Sequence, residues 1–209
     1  FAMMNLEGYE PQALDPTRLP LEDRWLLSRL ASTTQGVTAA LEAYHYGEAA
    51  RLLYDFAWDE FCSFYVEIAK PRLSDPKERP ITQGVLSYAL DVLMRLLHPL
   101  MPFLTEEIWQ TLAQFAPERG LRKPQAASPF LMKAAWPEVD SSLVDAEIEQ
   151  QFALFQATIG AIREIRSRQN IAPRDQVPFV VRCSPAVRAL LEPMSAYFEA
   201  MASAACTGW

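Results

Sequence analysis

Arginine side chains cluster towards the end of the chain, where five lie between residues 159 and 182 against only two acidic residues. On a helix, Arg163, Arg166 and Asn170 recur at i, i+3 and i+7 and share one stripe, with Arg168 nearby. Guanidinium groups in such a row can bind the phosphates of a nucleic acid. Rows of charge are also typical of a solvated helix face, so both interpretations stay open at this point.

A second group of residues combines an aromatic ring with cations. Trp25 and Arg29 stand four residues apart on a predicted helix, with Arg24 beside them. If Trp25 is exposed, it can stack on an unpaired base while the arginines donate hydrogen bonds. The alternative is a tryptophan packed at the edge of the core. Lys70 and Arg72 follow at the end of the next predicted helix, where the helix dipole alone accounts for cations.

Residues that usually carry catalysis or hold metals are sparse and scattered. Glu42 and His45 form one E-x-x-H pattern, whereas a di-iron bundle needs two, and the only other histidine is His98. No G-x-S-x-G motif occurs, and the seven glycines form no phosphate-binding loop. We therefore predict no catalytic residue, no metal site and no cofactor within these residues.

Composition is typical of a globular protein from a reducing compartment. The chain has 209 residues and three distant cysteines without a C-x-x-C motif, which argues against disulfides and zinc and favours the cytoplasm. The longest apolar stretch, 81–104, contains charged residues and prolines, so we expect no membrane span. The chain begins with FAMMNLEG and ends at Trp209, and we expect both ends to be cut from a longer protein.

Proline spacing and apolar periodicity predict the helices that position these side chains. Residues 21–70 and 138–172 contain no proline, whereas four prolines lie in a loop at 116–142. Apolar residues three and four apart predict a first helix that ends with Tyr44 on its inward face, before a break at Gly47. The same spacing predicts further helices over about 48–70, 82–98 and 144–169, the last with Ile165 facing inward.

The stretch LLHPLMPFLTEEIWQTL interrupts an apolar run with Pro99 and Pro102. Proline removes a backbone donor and clashes with the preceding turn, which predicts a helix end here. We expect Thr105 to cap the next helix, and Glu106 and Glu107 to occupy its first turn, where the helix dipole favours negative charge. The segment is therefore predicted to be a corner between two helices.

The end of the chain shows a different pattern. QVPFVVRC (176–183) is short and β-branched and predicts a strand, and the residues after it predict one or two short helices. The predicted fold is therefore mainly α: an antiparallel helical bundle over 1–140, then a long helix with a small α/β appendage over 141–209. We expect the sheet of this appendage to be truncated at the end of the chain.

Five segments in order resemble one known family. LLHPLMPFLTEEIWQTL resembles the anticodon-binding helical bundle of class I aminoacyl-tRNA synthetases for valine, isoleucine, leucine and methionine. FAMMNLEG, LEDRWLLSRL, DFAWDEFCSFYVEIAKPRL and IREIRSRQNIAPRDQVPF narrow the resemblance to the valyl-tRNA synthetases, over nearly the whole chain. The two ATP-binding signatures of that family, of the H-I-G-H and K-M-S-K-S types, do not occur here.

The resemblance implies the tRNA-binding, anticodon-recognising part of a valine–tRNA ligase. It implies tRNA(Val) as the partner of a monomer, with ATP and Mg bound only in the full-length enzyme and no catalysis by these residues alone. On grounds of expected exposure, Arg24, Trp25 and Arg29 are the predicted contacts on the anticodon side. Lys70 and Arg72 are weaker candidates for the same role.

The resemblance also implies that Arg163, Arg166 and Arg168 meet tRNA phosphates on the stem side. Two alternatives stay open. The net charge of −7 favours a helical scaffold that docks a protein partner and has no affinity for RNA. Another hypothesis keeps the fold but assigns it to an isoleucyl enzyme, and exchange of the anticodon would separate that case.

Overall fold

The computed structural model describes all 209 residues and divides them into two compact units, Phe1–Asp145 and Ala146–Trp209. Helices dominate both units, which confirms the predicted mainly α fold with a small α/β part. The division falls a few residues after the boundary that the sequence suggested. No helix is both long and apolar enough to cross a membrane.

The first unit is a helical bundle centred on its longest helix. Its helices are α1 Ala2–Asn5, α2 Leu21–Glu42, α3 Tyr46–Tyr54, α4 Val66–Ser74, α5 Arg79–Leu97 and α6 Pro102–Phe115. After α6 come the paired two-residue strands β1 (Glu118–Arg119) and β2 (Gln125–Ala126) and 3-10 turns at Leu131–Lys133 and Ser141–Leu143. Because α2 packs against both α3 and α5, its apolar side chains form the centre of the bundle.

A π-helix joins α3 to α4 in one continuous helical rod. It spans Asp55–Tyr65, where the backbone bonds reach one residue further than in an α-helix. Within it, Ser63 Oγ donates to the carbonyl of Trp58, five residues back, at 2.7 Å. The sequence predicted an ordinary α-helix here, because the apolar spacing alone does not reveal the wider turns.

Proline does not end α4, contrary to the prediction from sequence: Pro71 lies inside the helix, which continues to Ser74. The next residue, Arg72, is only 4% exposed and reaches across to Asp23 of α2. Its Nη1 and Nη2 donate to the two carboxylate oxygens at 2.7 and 2.8 Å. This bidentate pair requires the extra turn of helix, so it offsets the cost of the proline.

The pair is the centre of a wider buried network. Tyr65 Oη donates to Asp23 Oδ1 at 2.6 Å, and Arg72 Nε donates to Glu78 at 2.8 Å. Burial lowers the pKa of Arg72, but the hydrogen bonds and charge of Asp23 outweigh it and raise that pKa above its usual value. Burial and the nearby carboxylate also raise the pKa of Tyr65, which stays a donor. The network joins α2, the π-helix, α4 and the residue before α5.

The predicted proline corner is present, but α6 begins earlier than expected. It starts at Pro102. Proline has no backbone N–H, but an N–H at the first position of a helix has no partner within the helix, so its absence costs nothing there. Thr105 is therefore not the cap. Its Oγ1 donates to Met101 O at 2.8 Å and lies 2.8 Å from His98 Nδ1. These contacts connect α6 to the end of α5 and stabilise the corner between them.

Glu106 and Glu107 lie beyond the first turn, so the predicted dipole role is wrong. Glu106 instead accepts hydrogen bonds from the backbone N–H groups of Leu131 and Met132, at 3.1 and 3.3 Å. Burial raises the pKa of Glu106, but these two bonds and one from Gln110 together outweigh burial and lower that pKa. The carboxylate therefore pins the loop that follows β2 against α6.

Trp109 anchors the same loop from within the core. The ring is fully buried, and its Nε1 donates to Ser128 O at 2.8 Å. The guanidinium of Arg119 lies 3.8 Å from the ring centroid, and that of Arg95 lies 5.5 Å away. Cations over an indole face are attracted by its quadrupole. Trp109 is thus part of the scaffold.

The second unit combines a long helix with a two-stranded parallel sheet. Its elements are α7 Ala146–Arg168, β3 Val177–Val180, α8 Pro185–Leu191, α9 Ser195–Ala202 and β4 Ala204–Gly208. The rings of Phe152, Phe155, Phe179 and Phe198 pack together as its core. The sequence predicted β3 but not β4, because AACTG lacks the branched and aromatic residues that favour strands.

We predict that Asp23→Asn lowers the free energy of unfolding by about 3–5 kcal/mol, because the buried guanidinium of Arg72 loses its bidentate counter-charge and keeps only Glu22 and Glu78. Urea denaturation followed by circular dichroism measures the change. The control is Asp55→Asn, which removes the exposed i, i+4 pair with Arg51 and should cost less than about 1 kcal/mol. Equal losses in the two variants would contradict the central role of the buried pair.

Candidate nucleic-acid interface

The first candidate surface is the beginning of α2. The three residues predicted there differ in burial and in their partners. Trp25 is only 2% exposed, so the expected exposure is wrong and the packed alternative is correct. Arg24 is partly exposed, with Nη2 3.2 Å from Asp145. Arg29 donates through Nε and Nη2 to both oxygens of Glu60 at 2.8 Å. Trp25 therefore offers no ring for stacking.

The burial of Trp25 follows from how many elements surround α2. The helix packs against α3, the π-helix, α5 and the 3-10 turn Ser141–Leu143. Even Glu22 and Asp23 are buried in its first turn. Apolar periodicity assumes one buried face and one solvated face. That assumption fails for a helix covered on several sides, and nothing in the sequence of α2 by itself reveals the coverage.

The second candidate surface, the end of α4, contributes one exposed cation instead of two. Lys70 is exposed and donates to Glu67 at 2.6 Å, three residues before it. Arg72 is held by Asp23 and cannot reach a ligand at the surface. An exposed ion pair such as that of Lys70 is weak and can open at little cost. Lys70 therefore remains available to a phosphate group.

The predicted arginine stripe of α7 is divided between the interior and the surface. Arg166 is 7% exposed, whereas Arg163 and Arg168 are exposed. Ile165, predicted to face inward, is exposed. Arg166 takes the inward position seven residues after Ile159, because its guanidinium meets backbone carbonyls there. A sequence pattern that treats arginine as polar cannot assign it to the core.

The sequence prediction missed several exposed aromatic rings, which lie in the turn after α2 and on the helical rod that follows. Tyr44 is 76% exposed instead of facing inward, and it meets Tyr46 edge to face, with 6.4 Å between ring centroids. Tyr44 has φ of 59°, the left-handed conformation that turns the chain from α2 into α3. On the rod that follows, Tyr54 and Trp58 stand four residues apart and are both exposed. The sequence signal for these exposed rings was the run Tyr-His-Tyr directly before Gly47, since aromatic residues in a turn between helices are often exposed.

A groove beside Trp136 lies along the last part of α2, before the turn that contains Tyr44. It has a volume of about 330 Å³ and is lined by Thr38, Leu41, Glu42 and Trp136. Trp136 is 36% exposed, and its Nε1 donates to Thr38 Oγ1 at 2.9 Å, which fixes the ring plane. A fixed, half-exposed indole is suited to stack on an unpaired base. The surface offers no comparable arrangement for metal chemistry, since no group of three His, Cys, Asp or Glu side chains could hold an ion.

Comparison with known proteins places this architecture in a family. The family model described as the anticodon-binding domain of tRNA ligase matches residues 23–181. A valine–tRNA ligase of Rhodopirellula baltica is 59% identical over 204 residues, which cover 98% of this chain and 20% of that protein. The valine–tRNA ligase of Synechocystis sp. is 41% identical over 192 residues, covering 87% of this chain and 20% of that protein.

A third valine–tRNA ligase, from Laribacter hongkongensis, is 38% identical over 211 residues, covering 98% of this chain and 22% of that protein. The chain thus spans about a fifth of the length of these curated relatives. The resemblance to valyl-tRNA synthetases that the sequence showed is confirmed by these matches. Because the family model covers most of both the bundle and α7, the chain belongs to the anticodon-binding domain family of tRNA ligases.

Proposed function

We propose that this chain provides the anticodon-recognising, tRNA-binding part of a valine–tRNA ligase and that its partner is tRNA(Val). The observation that carries the proposal is the family match over residues 23–181, together with 59% identity to a valine–tRNA ligase across 98% of the chain. In the full-length ligase, ATP and Mg would bind outside these residues, because the ATP-binding signatures do not occur in them.

The compartment and the oligomeric state follow as parts of the same proposal. Translation proceeds in the cytoplasm, and the three free cysteines fit its reducing conditions. We expect the chain to act there as a monomer, since one tRNA molecule needs only one such surface.

The surface we assign to the anticodon is the Trp136 groove. A base read by protein must leave its stack, and an aromatic ring replaces the lost stacking energy, about 1–3 kcal/mol per base. Trp136 is already fixed by Thr38, so little side-chain entropy is lost when a base stacks on it. Arg24 and Lys70 would add phosphate contacts on this unit, whereas Arg29 is held by Glu60. Trp25 and Arg72 are buried and stabilise the fold.

A second candidate function, docking of a protein partner, is favoured by one observation. Phe103 is 91% exposed at the proline corner, and Leu104 beside it in the sequence is exposed too, as are Phe130 and Met132 of the loop that Glu106 holds against α6. Contiguous apolar surface is more typical of protein interfaces than of RNA-binding surfaces. On this hypothesis the chain would show no affinity for tRNA and would be insensitive to the anticodon sequence.

We predict that the chain binds a tRNA(Val) transcript about tenfold more tightly than the same transcript with a changed anticodon, because base stacking and edge contacts depend on sequence. Fluorescence anisotropy at about 50 and about 200 mM salt measures both affinities, and phosphate contacts should weaken both at the higher salt. Absence of binding to either transcript, even at low salt, would overturn the proposal in favour of the docking scaffold.

We predict that Trp136→Ala removes most of the preference for the native anticodon and lowers affinity by about tenfold. Trp136→Phe is the matched control, because it keeps an aromatic face and loses only the hydrogen bond to Thr38. It should retain most of the preference in the same anisotropy assay. An anticodon preference that survives in Trp136→Ala would place base recognition on another part of the surface.

A further inference from the structure

The loop between β2 and Trp136 is attached to the bundle at both of its ends. Near its start, Ser128 O accepts the hydrogen bond from Trp109 of α6 at 2.8 Å. At its end, Arg95 of α5 donates through Nη1 to Ala135 O at 3.2 Å. Ala135 is the residue directly before Trp136, so this bond holds the backbone from which the indole ring projects.

Arg95 is itself held in place by Asp91, which lies one turn earlier on α5. Its Nη2 lies 2.8 Å from Asp91 Oδ2, and the side chains of Arg95 and Asp91 are 26% and 8% exposed. One Nη atom of the guanidinium therefore meets a carboxylate, while the other meets the carbonyl of Ala135. Because a guanidinium is planar and rigid, the position of the carboxylate sets the direction of the second donor.

The carboxylate of Asp91 also faces a second arginine. Arg119 Nε lies 3.5 Å from Asp91 Oδ1, and the Arg119 guanidinium lies over the ring of Trp109, 3.8 Å from its centroid. Burial raises the pKa of Asp91, and the charges of Arg95 and Arg119 oppose this rise without cancelling it. A buried ion pair of this kind adds little net stability compared with apolar packing, so its main effect is on geometry.

The ring of Trp136 has open space on two sides. One side is the groove of about 330 Å³ described above, and the other is a smaller cavity of about 90 Å³, lined in part by Arg95 and His98. The hydrogen bond from Nε1 to Thr38 holds one edge of the ring but does not hold the backbone that carries it. Movement of this backbone towards the smaller cavity would turn the ring and change the shape of the groove.

We propose that the Asp91–Arg95 pair positions Trp136, which makes Arg95 a positioning residue for the surface assigned to the anticodon. This inference rests on the proposed function and adds the device that keeps the ring in place. In this role Arg95 acts through Ala135, whose carbonyl it holds, and not through a contact with a base. A ring that is already ordered loses less conformational entropy when a base stacks on it, which strengthens recognition.

The first measurement is the indole N–H signal of Trp136 in NMR spectra of the whole isotope-labelled chain. The chain has five tryptophans, and Trp136→Phe identifies the signal by its loss. Thr38→Val removes the acceptor of the indole N–H and gives the reference for a released ring. We expect Arg95→Met to move the Trp136 signal towards this reference and to increase its rate of exchange with solvent.

Two further variants separate positioning from a general effect on the fold. Arg95→Lys keeps the charge but loses the planar fork, so it should restore the Trp136 signal only in part. Arg122→Met is the matched control, because Arg122 is an exposed arginine in a surface pair with Asp140 at 3.4 Å. It should leave the Trp136 signal unchanged. Urea denaturation establishes that each variant is folded under the conditions of the spectra, and Arg95→Lys carries the test if Arg95→Met does not fold.

The second measurement is the preference for the native anticodon in the anisotropy assay. Arg95→Met should reduce this preference about three- to fivefold, because the ring must then be ordered when a base stacks on it. Arg95→Lys should lie between Arg95→Met and the parent chain. Arg122→Met should stay within about twofold of the parent, since exposed ion pairs contribute little.

The two measurements distinguish failure of this inference from failure of the proposed function. An unchanged Trp136 signal in Arg95→Met, or an equal change in Arg122→Met, would overturn the positioning role whatever the affinity for tRNA. A changed signal with an unchanged anticodon preference would overturn the role of Arg95 in recognition and leave the proposed function intact. A changed signal together with a reduced preference supports the inference. If the parent chain binds neither transcript, the proposed function fails, while a changed signal in Arg95→Met still supports the positioning of the ring.

Discussion

The carboxylate of Asp23 is fully buried, and its two oxygens are satisfied by the guanidinium of Arg72 and the hydroxyl of Tyr65. Much of the bundle follows from this interaction. It requires α4 to continue past Pro71, brings the π-helix against α2, and through Glu78 connects to the start of α5. A buried ion pair adds little net stability compared with well-packed apolar residues, but it tolerates few alternative arrangements. Its contribution is therefore to specify which helices meet and in which register.

Patterns that depend on local chemistry were predictable from the sequence. The helices, the proline corner and strand β3 all follow from apolar spacing and backbone restrictions. The errors concern residues whose environment is decided by distant partners. Pro71 stays inside a helix because of Asp23, which is 48 positions earlier in the numbering. Strand β4 forms from a sequence of low strand propensity because β3 supplies its partner.

The arginines show most clearly why a candidate site is harder to predict than a fold. Arg72, Arg119 and Arg166 are buried, respectively by a carboxylate, an indole face and backbone carbonyls. Arg24 and Arg163 keep exposed edges. All five have the same side chain, and their tertiary partners distinguish a structural role from a surface role. The sequence therefore identified the cationic residues but could not tell which of them are buried. The prediction that Trp25 is exposed was wrong for the same reason.

The π-helix also affects how this surface can change during evolution. Each turn of an α-helix takes about 3.6 residues, whereas a π-helix holds more residues in each turn. A one-residue deletion within Asp55–Tyr65 could therefore be absorbed by converting wide turns to ordinary ones while Arg72 remained opposite Asp23. The tighter winding would compensate for the lost residue, so the helical parts on either side would largely keep their orientation. This stretch is thus a place where relatives could gain or lose a residue without disturbing the core of the bundle.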